Sequence, residues 1–112
     1  MIFHFVEKNI FKNNLRDGYY ENPTLNTRGF IHSVTKENLF IIAEKYLESK
    51  EPVVILLIDD TKIKAPIIYE ESKGISYPHI YGGIEIEAIV KVLPMKKDEN
   101  NKFILNQEII EI

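Results

Sequence analysis

Six consecutive apolar residues, Val53-Val54-Ile55-Leu56-Leu57-Ile58, run from Pro52 to the acidic pair Asp59-Asp60. A run with no polar position has no solvent face. Its β-branched content and its length, far below the ~20 residues of a membrane span, predict a strand at 53–59 buried on both faces. Such a strand must be central in a sheet, and the rest of the chain must supply two covering layers.

The 112 residues are 45% hydrophobic and 11% aromatic, enough for one core in one domain, 1–112. There is no cysteine, so disulfides and thiolate metal sites are excluded. The opening Met1-Ile2-Phe3-His4-Phe5-Val6-Glu7 has no basic region and does not read as a signal peptide, so a cytoplasmic protein is the default. The net charge is −3 and the 14 basic residues are scattered. Nucleic-acid binders concentrate basic charge on one face, so neither nucleic acid nor membrane is an expected partner.

Aromatic and β-branched residues predict a first strand at 1–6. A short helix is expected at 8–15, a turn at Asp17-Gly18, a surface loop over 21–28 and a short strand at 29–33. Leu39, Ile42, Ala43, Tyr46 and Leu47 follow the stripe of an amphipathic helix over 36–49, with Thr35 as N-cap and Pro52 beyond its end. A strand is expected at 67–70, then a long irregular segment over 71–83, with Gly82-Gly83 in a turn of positive φ. Alternation over 84–93 predicts one strand with one apolar face. A hairpin connection at 97–101 leads to a return strand at 103–110. The fold class is α+β: one bent, mostly antiparallel sheet, one main amphipathic helix and a short N-terminal helix.

Two segments hold polar residues that a plain core does not require: Arg28-Gly29-Phe30-Ile31-His32-Ser33 and Tyr77-Pro78-His79-Ile80-Tyr81-Gly82-Gly83. Histidine is the commonest acid–base group and a frequent metal ligand. His32, His79 and Glu70 are therefore catalytic candidates. Arg28, Gly29, Ser33, Tyr81 and His4 are candidates for ligand contact, with Arg28 suited to a phosphate. Each has a plain alternative: His32 as a satisfied core residue, His79 as a loop stitch, Tyr81 as a rim aromatic, Glu70 as a solvated carboxylate. His4 alternates with Phe3 and Phe5, which favours a structural role. A zinc site from His4, His32 and His79 is conceivable, but no spacing supports it, and the domain is expected to fold without metal. Phosphate-cradling loops, paired histidines on a helix face and nucleophile elbows are absent from the sequence.

Phe3-His4, Gly29-Phe30-Ile31-His32 with Thr35-Lys36-Glu37, the run ending Ile58-Asp59, Tyr69-Glu70 and Tyr77-Pro78-His79-Ile80-Tyr81-Gly82 together resemble a bacterial family known as domain of unknown function 952. That family usually has a small hydroxyl residue two places after the histidine; here the place is Val34. The resemblance implies a fold similar to ADP-ribosyltransferases, in which a split, bent sheet holds NAD in its cleft. His32 would then lie where those enzymes place a histidine on the adenosine ribose. Glu70, Glu85 or Glu87 would play their catalytic glutamate. Two expectations follow: a domain binding a small molecule or nucleotide, NAD among the candidates, with transferase or hydrolase activity; and, as the alternative, a non-catalytic binding or interaction module that keeps the cleft.

Overall fold

In the computed structural model, which describes residues 1–112, β1 (Ile2–Glu7) lies antiparallel to β5 (Val53–Ile58), with Phe3 opposite Leu57 and Phe5 opposite Ile55. Strand β9 (Ile89–Pro94) pairs with the other edge of β5. The apolar run is thus the middle strand, and all six of its residues are buried. Period-two geometry divides its side chains between two cores. Val53, Ile55 and Leu57 join Phe3, Phe5, Leu39 and Phe103 on one face; Val54, Leu56 and Ile58 join Ile2, Val6, Tyr20 and Ile80 on the other.

The strands form four small antiparallel sheets, not one bent sheet. Beside β1-β5-β9 there is a sheet of β2 (Leu15–Arg16), β3 (Tyr19–Tyr20) and β8 (Ile84–Glu85). A third holds β4 (Ile31–His32), β7 (Ile75–Ile80) and β6 (Ile67–Ser72), in that order. The fourth is the hairpin β10 (Lys96–Lys97) and β11 (Phe103–Ile104). The central and third sheets meet at one seam. There Phe3 and Val34 exchange backbone hydrogen bonds of 2.9 and 2.8 Å as an isolated antiparallel bridge.

Helices are few and short. The first, α1, covers Lys8–Asn13; α2, Thr24–Thr27, stands inside the stretch expected to be a loop; α4, Gln107–Ile110, replaces the second half of the expected return strand. The 36–49 segment is not one continuous helix. It is a 3₁₀ turn (Lys36–Asn38), a five-residue helix α3 (Leu39–Ala43) and a second 3₁₀ turn (Glu44–Tyr46). Thr35 does not cap a backbone amide; its hydroxyl accepts a bond from the Asn38 side chain. Phe40, Ile41 and Ile42 are also poor helix formers. The apolar stripe nonetheless points inward: Leu39 and Ala43 are buried, with Ile42, Tyr46 and Leu47 packed against the same core. None of these helices is long and apolar enough to cross a membrane.

Two further expectations are corrected. The 71–83 segment is mostly strand: β6 and β7 form a regular hairpin closed by Lys73-Gly74 between paired Ser72 and Ile75. Both turn residues have positive φ, 52° and 82°, the signature of a tight two-residue hairpin turn. Gly82 and Gly83 are not at positive φ; Gly82 is small because a Cβ there would stand 2.7 Å from the Ala65 Cβ. The 84–93 strand is broken by a 3₁₀ turn, Ile86–Ala88. That turn carries the chain from the sheet of β3 to the sheet of β5, so β8 and β9 serve different sheets.

Candidate functional site

Strand β7 explains how the site arises. On a strand, every second side chain faces the same way. Pro78 and Ile80 are buried on one side, which leaves Tyr77, His79 and Tyr81 in series on the other. In the ladder His79 lies directly opposite His32 of β4, and Glu70 of β6 lies opposite Tyr77. Glu70 is therefore the diagonal neighbour of His79, within reach of a long side chain.

The resulting contacts are tight. The His79 imidazole donates through Nδ1 to Glu70 Oε1 at 2.7 Å, and the Tyr81 hydroxyl donates to the same oxygen at 2.5 Å. These two donors favour the ionised acid and hold the Glu70 carboxyl below its ordinary range, the Tyr81 bond contributing more. The same bond pushes the Tyr81 phenol up. Phe30 lies flat on the His79 ring, 4.0 Å between centroids and 15° between planes. The His32 ring stands edge-on to both, 5.5 Å from His79 and 4.9 Å from Phe30. Burial lowers the His32 pKa, and neighbouring His79, Arg28 and Lys45 lower it further.

This wall faces a cleft of about 460 Å³ at the mouth of the seam between the two sheets. Phe3, Phe5 and Val34 form its floor; Ile42, Lys45 and Tyr46 come from α3 and the turn after it; Arg28, Phe30, His32, Ser33, Ser72, Tyr77 and His79 complete it. No carboxylate lines it, and neither Arg28 nor Lys45 forms an ion pair.

The candidates separate accordingly. His32, His79, Arg28 and Ser33 line the cleft. Ser33 is buried, and its hydroxyl is spent on the Pro78 carbonyl at 2.5 Å. Glu70 and Tyr81 stand behind His79 rather than in the cleft wall. Gly29, at φ 84°, turns the chain from α2 toward β4 and does not line the cleft. His4 is not a cleft residue: it is 5% exposed and has both ring nitrogens engaged with Tyr20 and the His32 carbonyl. A three-histidine zinc site is accordingly not formed, and no group of three or more histidine, aspartate and glutamate side chains is placed to hold a metal. Glu85 is buried on β8, with one oxygen on the Lys64 amide and the other unpartnered; Glu87 is exposed on the following turn. Neither lines the cleft. Sequence reading overlooked Phe30, Lys45, Tyr46 and Tyr77. The signal for Phe30 was available, since it alternates with His32.

Comparison with known proteins bears on the fold. The family model described as protein of unknown function (DUF952) matches residues 6–92. The crystal structure of protein CC0527 from Caulobacter crescentus superposes with a TM-score of 0.81 at 18% identity, covering 97% of each chain. The solution NMR structure of CC0527 gives 0.67 at 19% identity, covering 90% of this chain and 89% of that one. No curated protein matches the chain in sequence.

Proposed function

The chain belongs to the DUF952 family of proteins of unknown function, and we propose that its cleft binds a small anionic ligand of nucleotide type, with Glu70 and His79 as an acid–base pair for transfer or hydrolysis. The observation that carries this reading is the convergence of His32, His79, Arg28 and Lys45 on one cavity without a carboxylate. Two cations and two imidazoles favour a negatively charged guest. The Phe30, Tyr46 and Tyr77 rings offer flat apolar surface for a planar base.

The chemistry follows from the tautomer. A carboxylate only accepts, so His79 places a proton on Nδ1 toward Glu70 and leaves Nε2 as its basic nitrogen. Base and orienting acid are thus joined as general-base catalysis requires. Two sheets meeting at a seam beside the cleft support likeness to the ADP-ribosyltransferases, with NAD among the ligands. Glu70 would act there through His79, because its Oε1 already serves His79 and Tyr81. Val34 supports the second reading, a binding module without chemistry. It is buried, and it offers no hydroxyl where the family usually has one.

Thermal shift with AMP, ADP-ribose, NAD and inorganic phosphate tests binding. A ligand at a hundred times its Kd adds about 2.7 kcal/mol of stability. No shift from any of the four at millimolar concentration overturns the proposal. For a ligand that shifts the melt, chromatography of the incubated mixture separates the readings. Turnover lost in His79→Gln with the shift retained supports catalysis; a shift without turnover supports the module.

A further inference from the structure

Beneath β4, on the face away from the cleft, lies a buried polar chain that the proposed chemistry does not use. Its hydrogen bonds run in one direction. The Thr24 amide donates to Asn22 Oδ1 at 2.9 Å, which fixes the Asn22 amide so that Nδ2 faces Tyr20. Asn22 Nδ2 donates to the Tyr20 hydroxyl oxygen at 2.5 Å. With that oxygen accepting, the Tyr20 O–H is free to donate to His4 Nε2, 2.9 Å away. His4 then has its proton on Nδ1, which donates to the His32 carbonyl at 2.5 Å. Every member is satisfied, and His4, Tyr20 and Asn22 are buried among apolar neighbours. A complete buried network of this kind fixes one arrangement, because any flipped member leaves a polar atom unpaired.

We infer that His4 is the positioning residue of the cleft: a neutral imidazole whose Nδ1–H clamps the main chain of His32, with Tyr20 and Asn22 holding that tautomer. The location supports the assignment. β4 has only two residues, pairs with β7 alone, and leaves that ladder at Val34 to join β1. Between these attachments the His32 carbonyl is secured by a side chain. Because the clamp holds backbone, it sets where the His32 ring stands relative to His79 without touching either ring. The inference depends on the cleft being functional only for its purpose; its geometry is tested without a ligand.

Long-range nitrogen–proton NMR of the unmodified protein at neutral pH reads the tautomer directly. A proton on His4 Nδ1 is expected; a proton on Nε2 overturns the assignment, whatever the variants do. His4→Leu removes the clamp, and His4→Asn keeps an N–H near the position of Nδ1. In folded His4→Leu, ring-to-ring cross-peaks between His32 and His79 are expected to disappear and the His32 titration to move up toward its ordinary value. Both features should be kept in His4→Asn. Retention of cross-peaks and titration in His4→Leu also overturns the assignment. Binding of the four phosphate-bearing probes is scored separately, so a cleft that binds none of them leaves this result standing.

Discussion

His32 and His79 face each other across the β4–β7 ladder with ring centroids 5.5 Å apart, although 46 residues separate them in the chain. Each also packs on Phe30. Groups this close with a shared neighbour do not contribute independently. In a urea-denaturation cycle, His32→Ala and His79→Ala are expected to couple by more than about 0.5 kcal/mol. Additive losses would show that the two rings act separately.

Leu39 is fully buried beneath the central sheet, whereas Ile42, one turn on, is only partly buried and lines the cleft. Leu39→Ala is expected to cost on the order of 2–5 kcal/mol through lost transfer energy and a cavity. Ile42→Ala should cost less, since the cleft is already open beside it. Equal losses in denaturant melts would contradict this division of the helix face.

Burial lowers the His4 pKa from 6.5 to about 4. Between these values the unfolded chain binds the proton and the folded chain does not. This contribution to stability is therefore complete above pH 6.5 and is lost as pH falls toward 4. The full loss is on the order of 3 kcal/mol. His4→Asn has no proton to take up at that position. Its unfolding free energy is expected to fall less than that of the unmodified protein between pH 7 and pH 4.5; parallel curves would refute the assignment to His4.

Tyr81 supplies the stronger of the two bonds that keep Glu70 ionised. Tyr81→Phe removes that donor and leaves the ring. The Glu70 carboxyl titration, followed by carbon NMR, should move up toward its ordinary value. An unchanged midpoint would mean that His79 alone determines the carboxylate.

The central strand was legible because six apolar residues leave no solvent face, and β1 because aromatic and β-branched residues fill it. The inward stripe of Leu39 and Ala43 was legible from its spacing, whereas the 3₁₀ turns on either side of it were not. The β6–β7 hairpin was hidden by its own punctuation. Pro78 and Gly74 read as breakers, although Gly74 makes the two-residue turn. Pro78 is tolerated because the N–H it lacks would point to the same side as its carbonyl, toward Ser33, where β4 departs from the ladder. Misreading that strand as a loop concealed the register that sets His79 opposite His32 and Glu70 diagonal to it. His32, His79, Arg28 and Glu70 were legible as chemistry-bearing residues; Lys45 and the site's geometry were not, since they depend on long-range packing and pairing.

The seam at Phe3 and Val34 makes the molecule's compliance local. Two sheets share one main-chain stitch of two hydrogen bonds, with the His4 clamp beside it, and the cavity opens next to them. The sheets cannot gape there without straining that stitch, so the Phe3 and Val34 amides act as a built-in strain gauge, their exchange with deuterated solvent reporting how often the two halves part.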